Sequence, residues 1–314
     1  MPALCAAAIA CTAGVAEAPA QPGGWRDRVA RKREAAAREG EAGGGTPRAP
    51  APETIAYGPH PLQRLDVWRA QGARGAAPLV MYVHGGGWRR GDKNTAASRY
   101  APVHFPQQGY VYASINYRLV PENTVEDQVS DVARALRALL DRAEALGIDR
   151  RRTVLMGHSA GAHLVALAGT DERYLRSAGL SFADVSGVIP NDGAAYDVAR
   201  QIAEGNQVMQ GVYLQAFGTD PARQRALSPA HQAGAPNARA FLLLHVERRD
   251  GVAQARELEK ALRRGGAEVE RREFAGTGLE GHAEINRELG NPAYPATAVV
   301  DEWLRRLFGR GGGR

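Results

Sequence analysis

The chain has 314 residues, of which 44% are hydrophobic and 24% charged, and its formal net charge is +6. These values describe a globular chain that can bury its own core, and they exclude a wholly disordered or collagen-like protein. The positive charge does not indicate nucleic-acid binding, because the basic residues are scattered among acidic ones and no nucleic-acid-reading motif is found.

The first residues resemble an export signal. Residues 3–16 are small and apolar, too short for a membrane span, and Ala-Glu-Ala at 16–18 fits a signal-peptidase site. No Lys or Arg precedes the apolar run, so an Ala-rich leader on a cytoplasmic protein is the alternative. The two cysteines, Cys5 and Cys11, lie in this stretch without a nearby histidine, which argues against a zinc site. We predict a signal peptide over 1–18 and a periplasmic or secreted protein.

Residues 19–52 are rich in Gly, Pro, Arg and Glu, which predicts a solvated linker. From residue 53 onward, short apolar runs alternate with amphipathic helical patterns, and we predict one catalytic domain over 53–310. The predicted strands cover 62–68, 78–83, 110–116, 153–156, 185–190, 241–246 and 267–274. The predicted helices cover 125–146, 160–168, 252–262 and 296–308.

This alternation predicts an α/β fold with a mostly parallel central sheet and helices on both faces. Residues 194–233 form the one long stretch outside the alternation. We predict that they are helical and lie over an edge of the sheet.

A glycine-rich motif joins one predicted strand to the helix that follows it. Residues 157–161 read Gly-His-Ser-Ala-Gly, between strand 153–156 and helix 160–168. A serine that attacks a carbonyl must stand clear of the backbone on a sharp strand-to-helix turn, which admits only small neighbours. Ser159 is therefore the candidate nucleophile. The start of the helix would bring its dipole and the Ala160 amide to a developing oxyanion.

A second motif, His-Gly-Gly-Gly-Trp at residues 84–88, directly follows strand 78–83. Consecutive glycines allow bare backbone amides to approach a negatively charged oxygen. The alternative is a flexible glycine turn without a binding role. The context after a buried strand favours an oxyanion-binding segment.

The base and the acid of a catalytic triad follow the serine in chain order in this kind of fold. His245 lies inside the apolar run 241–246 and is expected to be buried in a strand. His282 follows the last strand in a Gly-rich segment, which predicts a loop that suits a mobile base.

For the acid we favour Asp250, which follows strand 241–246 and precedes the next helix. Glu247 is the nearest alternative, but it directly follows the strand, so its side chain has less freedom to turn toward the histidine. Asp192, in an Asn-Asp-Gly turn after strand 185–190, is a third candidate, with a loop-holding role as its alternative.

Taken together, HGGGW at 84–88, RGDK at 90–93, NYRL at 116–119 and GHSAG at 157–161 resemble the α/β-hydrolase superfamily. The similarity is to its HGGG-type serine carboxylesterases, near the hormone-sensitive-lipase-like and acetyl or feruloyl esterases.

The resemblance implies Ser159 as nucleophile, His282 as general base and then acid, and Asp250 as the group that orients His282. It implies the amides of Gly86, Gly87 and Ala160 as oxyanion donors, and no metal or cofactor.

Two departures from the family pattern change the expectation. The acid lies in Glu-Arg-Arg-Asp-Gly at 247–251 where those enzymes usually have Asp-Pro-Leu around it, and the N-terminus is not a helical cap. We therefore expect an open, shallow site, roofed at most by residues 194–233.

The expected activity is hydrolysis of short-chain acyl esters through an acyl-enzyme, on small or polymer-linked substrates. No nucleic-acid partner and no membrane span are expected. An aryl formamidase similar to kynurenine formamidases is the alternative that uses the same residues. A non-catalytic binding module on this fold is disfavoured, because candidates for all three triad members are present.

Overall fold

The computed structural model describes residues 49–94, 99–234 and 236–309. The predicted signal peptide, and all of the predicted linker except its last few residues, lie outside these ranges. Within them, no helix is both long enough and apolar enough to cross a bilayer.

The centre of the protein is one eight-stranded sheet with strand order β1-β2-β4-β3-β5-β6-β7-β8. β1 and β2 are antiparallel to their neighbours, and β3 to β8 are parallel. The strands are β1 Glu53–Ala56, β2 Arg64–Trp68, β3 Ala77–Val83, β4 Val111–Ile115, β5 Ile148–His158, β6 Gly187–Asn191, β7 Ala240–Val246 and β8 Glu268–Phe274.

Twelve α-helices connect or flank the strands within the described ranges. They are α1 Ala101–Gln107, α2 Val125–Asp141, α3 Ala143–Leu146, α4 Ala160–Thr170, α5 Glu172–Ser177, α6 Val198–Glu204, α7 Gln207–Phe217, α8 Pro221–Ala226, α9 Pro229–Gln232, α10 Arg249–Arg264, α11 Gly278–Arg287 and α12 Pro295–Gly309. Thr124 and Asp127 form a capping box that begins α2.

The sheet is buried on both faces, which is why its central strands are continuous apolar runs. In β3, alternate residues belong to two separate hydrophobic clusters: Leu79 and Met81 pack on one face and Val80 on the other. Helices α2 and α4 supply residues to the first cluster, and α12 to the second. The predicted α/β fold, with helices on both faces of a mostly parallel sheet, is confirmed.

The strand register brings three chain segments together at the carboxyl edge of the sheet. Val83 of β3 pairs with Gly157 of β5, and His158 pairs with Asn191 of β6. The residues that follow these pairs therefore leave the sheet side by side, at the edge where open α/β sheets bind ligands.

Several elements differ from the sequence prediction, among them β1, α1 and α11. β1 is only four residues long and mostly exposed, so it lacks the apolar run that marks a strand. α1 contains prolines. α11 was expected to be a loop because of its glycines, but Gly281 lies within the helix. A Cβ at Gly281 would lie 2.5 Å from the carbonyl carbon of Gly276. Close packing, not chain flexibility, explains this glycine.

Residues 194–233 are mainly helical, as predicted, and form α6 to α9. Their predicted position needs correction. β1 and β8 are the edges of the sheet, whereas α7 packs beside the segment that follows β3: the ring centroid of Phe217 lies 4.7 Å from that of Trp88.

Candidate active site

Ser159 stands on a strained turn between β5 and α4, with φ 55° and ψ −118°. Few non-glycine residues adopt a positive φ, and such strain persists only where the surroundings impose it. A Cβ on Gly157 would lie 2.4 Å from the carbonyl oxygen of Gly161. Residues 157–161, hereafter the elbow, therefore need glycine at both ends for steric reasons.

The elbow also touches residues 84–88, hereafter the glycine segment. A Cβ on Gly161 would lie 2.1 Å from the carbonyl oxygen of Val83 and 2.5 Å from that of His84. A Cβ on Gly85 would lie 3.0 Å from the Cβ of Ser159. The two motifs found in the sequence thus form one backbone surface around the serine.

Positive backbone angles continue through the glycine segment, at Gly86 (φ 124°), Gly87 (φ 62°) and Trp88 (φ 61°). The buried Trp88 ring anchors the end of the segment, and its carbonyl accepts a 2.7 Å hydrogen bond from Gln128 Nε2. The predicted oxyanion amides of Gly86, Gly87 and Ala160 therefore belong to two fixed segments that meet beside Ser159. The Ala160 N–H, in the first turn of α4, has no intrahelical acceptor.

His282 contacts Ser159 on one side and Asp192 on the other. Its Nε2 lies 3.0 Å from Ser159 Oγ, and its Nδ1 lies 2.5 Å from Asp192 Oδ2. With the carboxyl ionised, Nδ1–H donates to Asp192, which leaves Nε2 free to accept the Ser159 hydroxyl proton. This order of contacts is that of a serine, histidine and acid triad.

The prediction for the acid is corrected here: Asp192, not Asp250, meets His282. Asp250 lies in the first turn of α10, where its Oδ2 accepts hydrogen bonds from Arg248 Nη1 at 3.2 Å and Gln201 Nε2 at 3.3 Å. Glu247, the other alternative on this segment, is exposed.

Asp192 reaches His282 because it follows the last residue of β6 and turns sharply there, with φ 44°. The polar Asn-Asp-Gly turn at the carboxyl edge of the sheet was the signal for this position. The sequence could not rank it above Asp250, because the preference depends on which turn faces His282.

Asp192 is a fully buried carboxylate with several donors. Oδ1 accepts from the Val246 N–H at 3.2 Å, and Oδ2 accepts from Arg248 Nε at 3.1 Å as well as from His282. Burial alone would raise the pKa of Asp192, but the hydrogen bond from His282 and the positive charge of Arg248 outweigh burial and lower that pKa. The carboxyl is therefore ionised at neutral pH.

The comparisons with known proteins agree with this architecture. The BD-FAE family model matches residues 65–188. A probable isoprenylcysteine alpha-carbonyl methylesterase, ICMEL2 of Arabidopsis thaliana, is 34% identical over 128 residues, 41% of this chain and 30% of the relative. A kynurenine formamidase of Danio rerio is 28% identical over 159 residues, 51% of this chain and 45% of the relative. The chain thus spans less than half the length of either relative.

Among solved structures, a tributyrin phosphonate-inhibited esterase B from Lactobacillus rhamnosis superposes with a TM-score of 0.70. The two are 22% identical, and the match covers 90% of this chain and 94% of the other. The chain has the α/β-hydrolase fold. The resemblance seen in the motifs is confirmed, and the similar proteins include esterases.

Two further histidines lie near the triad contacts. His158, inside the elbow, is buried, and its Nε2–H donates to the His282 carbonyl at 2.8 Å. Burial lowers the pKa of His158 to about 3, so the ring is neutral at physiological pH. His158 therefore holds the backbone of His282 in place, a contact that the motif alone did not reveal. His245 is buried in β7, as predicted, and accepts from Arg271 Nη1.

A cavity of about 630 Å³ opens beside this site. It lies between α6 and α7 on one side and the segment after β7 with the start of α11 on the other. Met209 and Tyr213 give it an apolar wall, and Leu279, three residues before His282, is 79% exposed at its rim. The described part of the chain has no group of three or more His, Cys, Asp or Glu that could hold a metal.

Proposed function

We propose that this protein is a serine carboxylesterase that hydrolyses short-chain acyl esters through an acyl-enzyme. The observation that supports the proposal most strongly is the continuous contact from Ser159 Oγ through His282 to Asp192 Oδ2. The esterases among its relatives support the same reaction class.

In the first half-reaction, Ser159 Oγ attacks the ester carbonyl carbon while His282 Nε2 takes the hydroxyl proton. Asp192 stabilises the imidazolium that forms. The amides of Gly86, Gly87 and Ala160 are proposed to bind the oxyanion of the tetrahedral intermediate. When the bond to the alcohol oxygen breaks, His282 returns its proton to the leaving alcohol.

In the second half-reaction, water attacks the acyl carbon and gives its proton to His282 Nε2. The second tetrahedral intermediate collapses, the bond to Ser159 Oγ breaks, and His282 reprotonates the serine. The products are the free carboxylic acid and the resting enzyme, so the cycle consumes only ester and water.

The cavity near Arg248 and Leu279 supports a small or chain-end substrate. Its walls are partly apolar and partly charged, and its rim is open to solvent. We propose that it takes one side of a small ester, or the terminal unit of a polymer-linked ester.

Turnover of p-nitrophenyl acetate by the purified chain, together with labelling by a fluorophosphonate, tests the proposal. Ser159→Ala is expected to lower kcat by about 10⁴-fold or more and to abolish labelling. Ser177→Ala, at an exposed serine on α5, is the matched control and is expected to keep both. If Ser159→Ala turns over the ester at the ordinary rate, the proposal is wrong.

A second candidate is an aryl formamidase, favoured by the similarity to the Danio rerio kynurenine formamidase. The same residues can cleave a formamide, with the amine as leaving group. A comparison of kcat/KM for formylkynurenine and p-nitrophenyl acetate separates the two: a clear preference for the formamide would replace the ester proposal. A folded chain that hydrolyses neither and resists the fluorophosphonate would be a binding module.

We also propose that the protein acts after export, on the basis of the signal-like residues 1–18. Expression of the full chain in a bacterial host with an export pathway, followed by N-terminal sequencing of the periplasmic and medium fractions, tests this. Exported protein that begins after residue 18 supports the proposal. Uncleaved protein confined to the cytoplasm would contradict it.

A further inference from the structure

Arg248 lies between two aspartates behind the triad contacts. Its Nε donates to Asp192 Oδ2 at 3.1 Å, its Nη1 donates to Asp250 Oδ2 at 3.2 Å, and its Nη2 donates to the Gly193 carbonyl at 3.4 Å. The side chain is only 12% exposed. A planar guanidinium can make these contacts at once, whereas an ammonium cannot.

The contact with Asp192 uses the same oxygen that receives His282. Oδ2 of Asp192 accepts both the Nδ1–H of His282 and the Nε–H of Arg248. The negative charge that would stabilise a protonated His282 is therefore shared with a permanent cation. A nearby positive charge makes the imidazolium less favourable, and a charge that compensates this cation makes it more favourable.

Asp250 is placed to compensate Arg248. Its carboxylate, 34% exposed, is held by Arg248 and also by Gln201 Nε2, which lies 3.1 Å from the Tyr213 hydroxyl. Gln201 Oε1 accepts the Ala195 N–H, which fixes the amide in turn. Asp250 is thus a fixed counter-charge at the wall of the cavity. Asp192 contacts His282 directly, whereas Asp250 contacts Arg248, which in turn contacts Asp192.

We propose that Arg248 is a positioning residue that fixes Asp192 against His282 and, balanced by Asp250, sets the pH below which the esterase loses activity. The proposal rests on the proposed function, because it assigns a role to groups behind the Ser159 and His282 pair. It also gives Asp250 a part in the reaction other than that of triad acid.

The other titratable and charged groups that face this chain of contacts come from several neighbouring segments. They include His158 at the end of β5, Tyr196 after β6, His245 in β7, Tyr213 on α7 and Tyr294 before α12. Glu204, Glu247 and Arg249 line the same cavity as Asp250. Burial lowers the pKa of His158 to about 3, and burial raises the pKa of each of the three tyrosines. His158 and the three tyrosines are therefore neutral from pH 5 to 9, and burial also lowers the pKa of His245.

The test is the acidic limb of kcat/KM against pH, measured with p-nitrophenyl acetate on the full chain. Asp250→Asn leaves Arg248 uncompensated and is expected to move the limb to lower pH by about 0.5 to 1 unit. Arg248→Gln removes the cation and is expected to move the limb to higher pH by a similar amount. Arg248→Lys keeps the positive charge but loses the planar guanidinium and its separate hydrogen bonds. It is therefore expected to lower kcat and to leave the acidic limb almost in place.

Two controls make the result specific. Glu257→Gln removes the same charge from the same helix as Asp250→Asn but at a site paired with Arg200, and is expected to leave the limb in place. In the Arg248→Gln background, Asp250→Asn is expected to cause a smaller shift than in the unsubstituted chain, because the contact that fixes the Asp250 carboxylate beside Arg248 is gone. If Arg248→Gln fails to fold, the comparison of Asp250→Asn with Glu257→Gln still decides.

The proposal would be overturned if Asp250→Asn and Arg248→Gln moved the acidic limb in the same direction. It would also be overturned if Asp250→Asn moved the limb no further than Glu257→Gln does. Fluorophosphonate labelling of Ser159 in each variant separates this failure from that of the function. A labelled enzyme with an unmoved limb refutes only the role of Arg248 and Asp250. An unlabelled, inactive wild-type chain refutes both.

Discussion

The two halves of the site are built by different kinds of force. At the ends of β3 and β5, the elbow and the glycine segment are fixed by backbone contacts so close that a single Cβ would clash. At the ends of β6, β7 and β8, Asp192, Arg248 and His282 are fixed by hydrogen bonds between charged or polar side chains. The first half, hereafter the steric half, has no room for side-chain atoms at its glycines. The second half, hereafter the charge-balanced half, depends on the pairing of opposite charges.

The difference teaches which half can be found in a sequence. Steric exclusion demands glycine at set spacings, and those spacings are local, so a motif records them. Charge balance demands only that opposite charges meet after folding. Arg248 and His282 both contact Asp192, although they follow it by 56 and 90 positions in the chain. Substitutions in the two halves are therefore expected to fail in different ways.

Among substitutions of residues that support Ser159, the largest effect is expected in the charge-balanced half. Asp192→Asn removes the acceptor that orients and stabilises His282, so kcat for p-nitrophenyl acetate is expected to fall by about 10³- to 10⁴-fold with little change in KM. Asp250→Asn, measured on the pH plateau, is the matched control and is expected to lose less than about tenfold. The reverse ranking would restore Asp250 as the acid.

In the steric half, Gly161→Ala is expected to lower kcat/KM by about 100-fold or more. Its new Cβ would meet the carbonyl oxygens of Val83 and His84, which are backbone atoms and cannot move away alone. Gly211→Ala on α7 is the matched control, because its Cβ would meet nothing within 4 Å. Steady-state kinetics and thermal melting of both variants check this; equal losses would show that the contact has no special weight.

The fold and the steric half could be predicted from the sequence to a large extent. The apolar runs of β3 and β7 match strands buried on both faces, and the elbow and the glycine segment lie at the ends of strands, as expected. His282 was found by exclusion of His245, although it lies on a helix and not in a loop. The acid could not be found, because Asp192 and Asp250 have similar local contexts and differ only in which side chain faces them in the folded chain.

A mostly buried ion pair lies shortly after the glycine segment in the chain. Lys93 Nζ lies 2.7 Å from Asp66 Oδ2, and the pair ties the RGDK segment to β2. Lys93→Met leaves the buried Asp66 carboxylate without its cation and is expected to lower the free energy of unfolding by about 3 kcal/mol. Arg69→Met breaks the exposed pair with Glu53 and is expected to cost about 0.5 kcal/mol or less. Urea denaturation measures both, and equal costs would contradict the expectation.

The smallest effect is expected from the substitution of one buried histidine, among the four described histidines whose pKa burial lowers. Burial lowers the pKa of His84 and His163 to about 4 and that of His158 to about 3, all below the 6.5 of an exposed imidazole. As pH falls from 6.5 to 5, the unfolded chain therefore binds protons that the folded chain does not bind, and stability falls by about 1 kcal/mol per pH unit for each of these three histidines.

His163 accepts a hydrogen bond from Trp88 Nε1 and donates one to the Leu227 carbonyl, so it cannot gain a proton without losing a contact. His163→Gln is expected to reduce the slope of unfolding free energy against pH by about 1 kcal/mol per pH unit between pH 6.5 and 5, and an unchanged slope would contradict the contribution of His163.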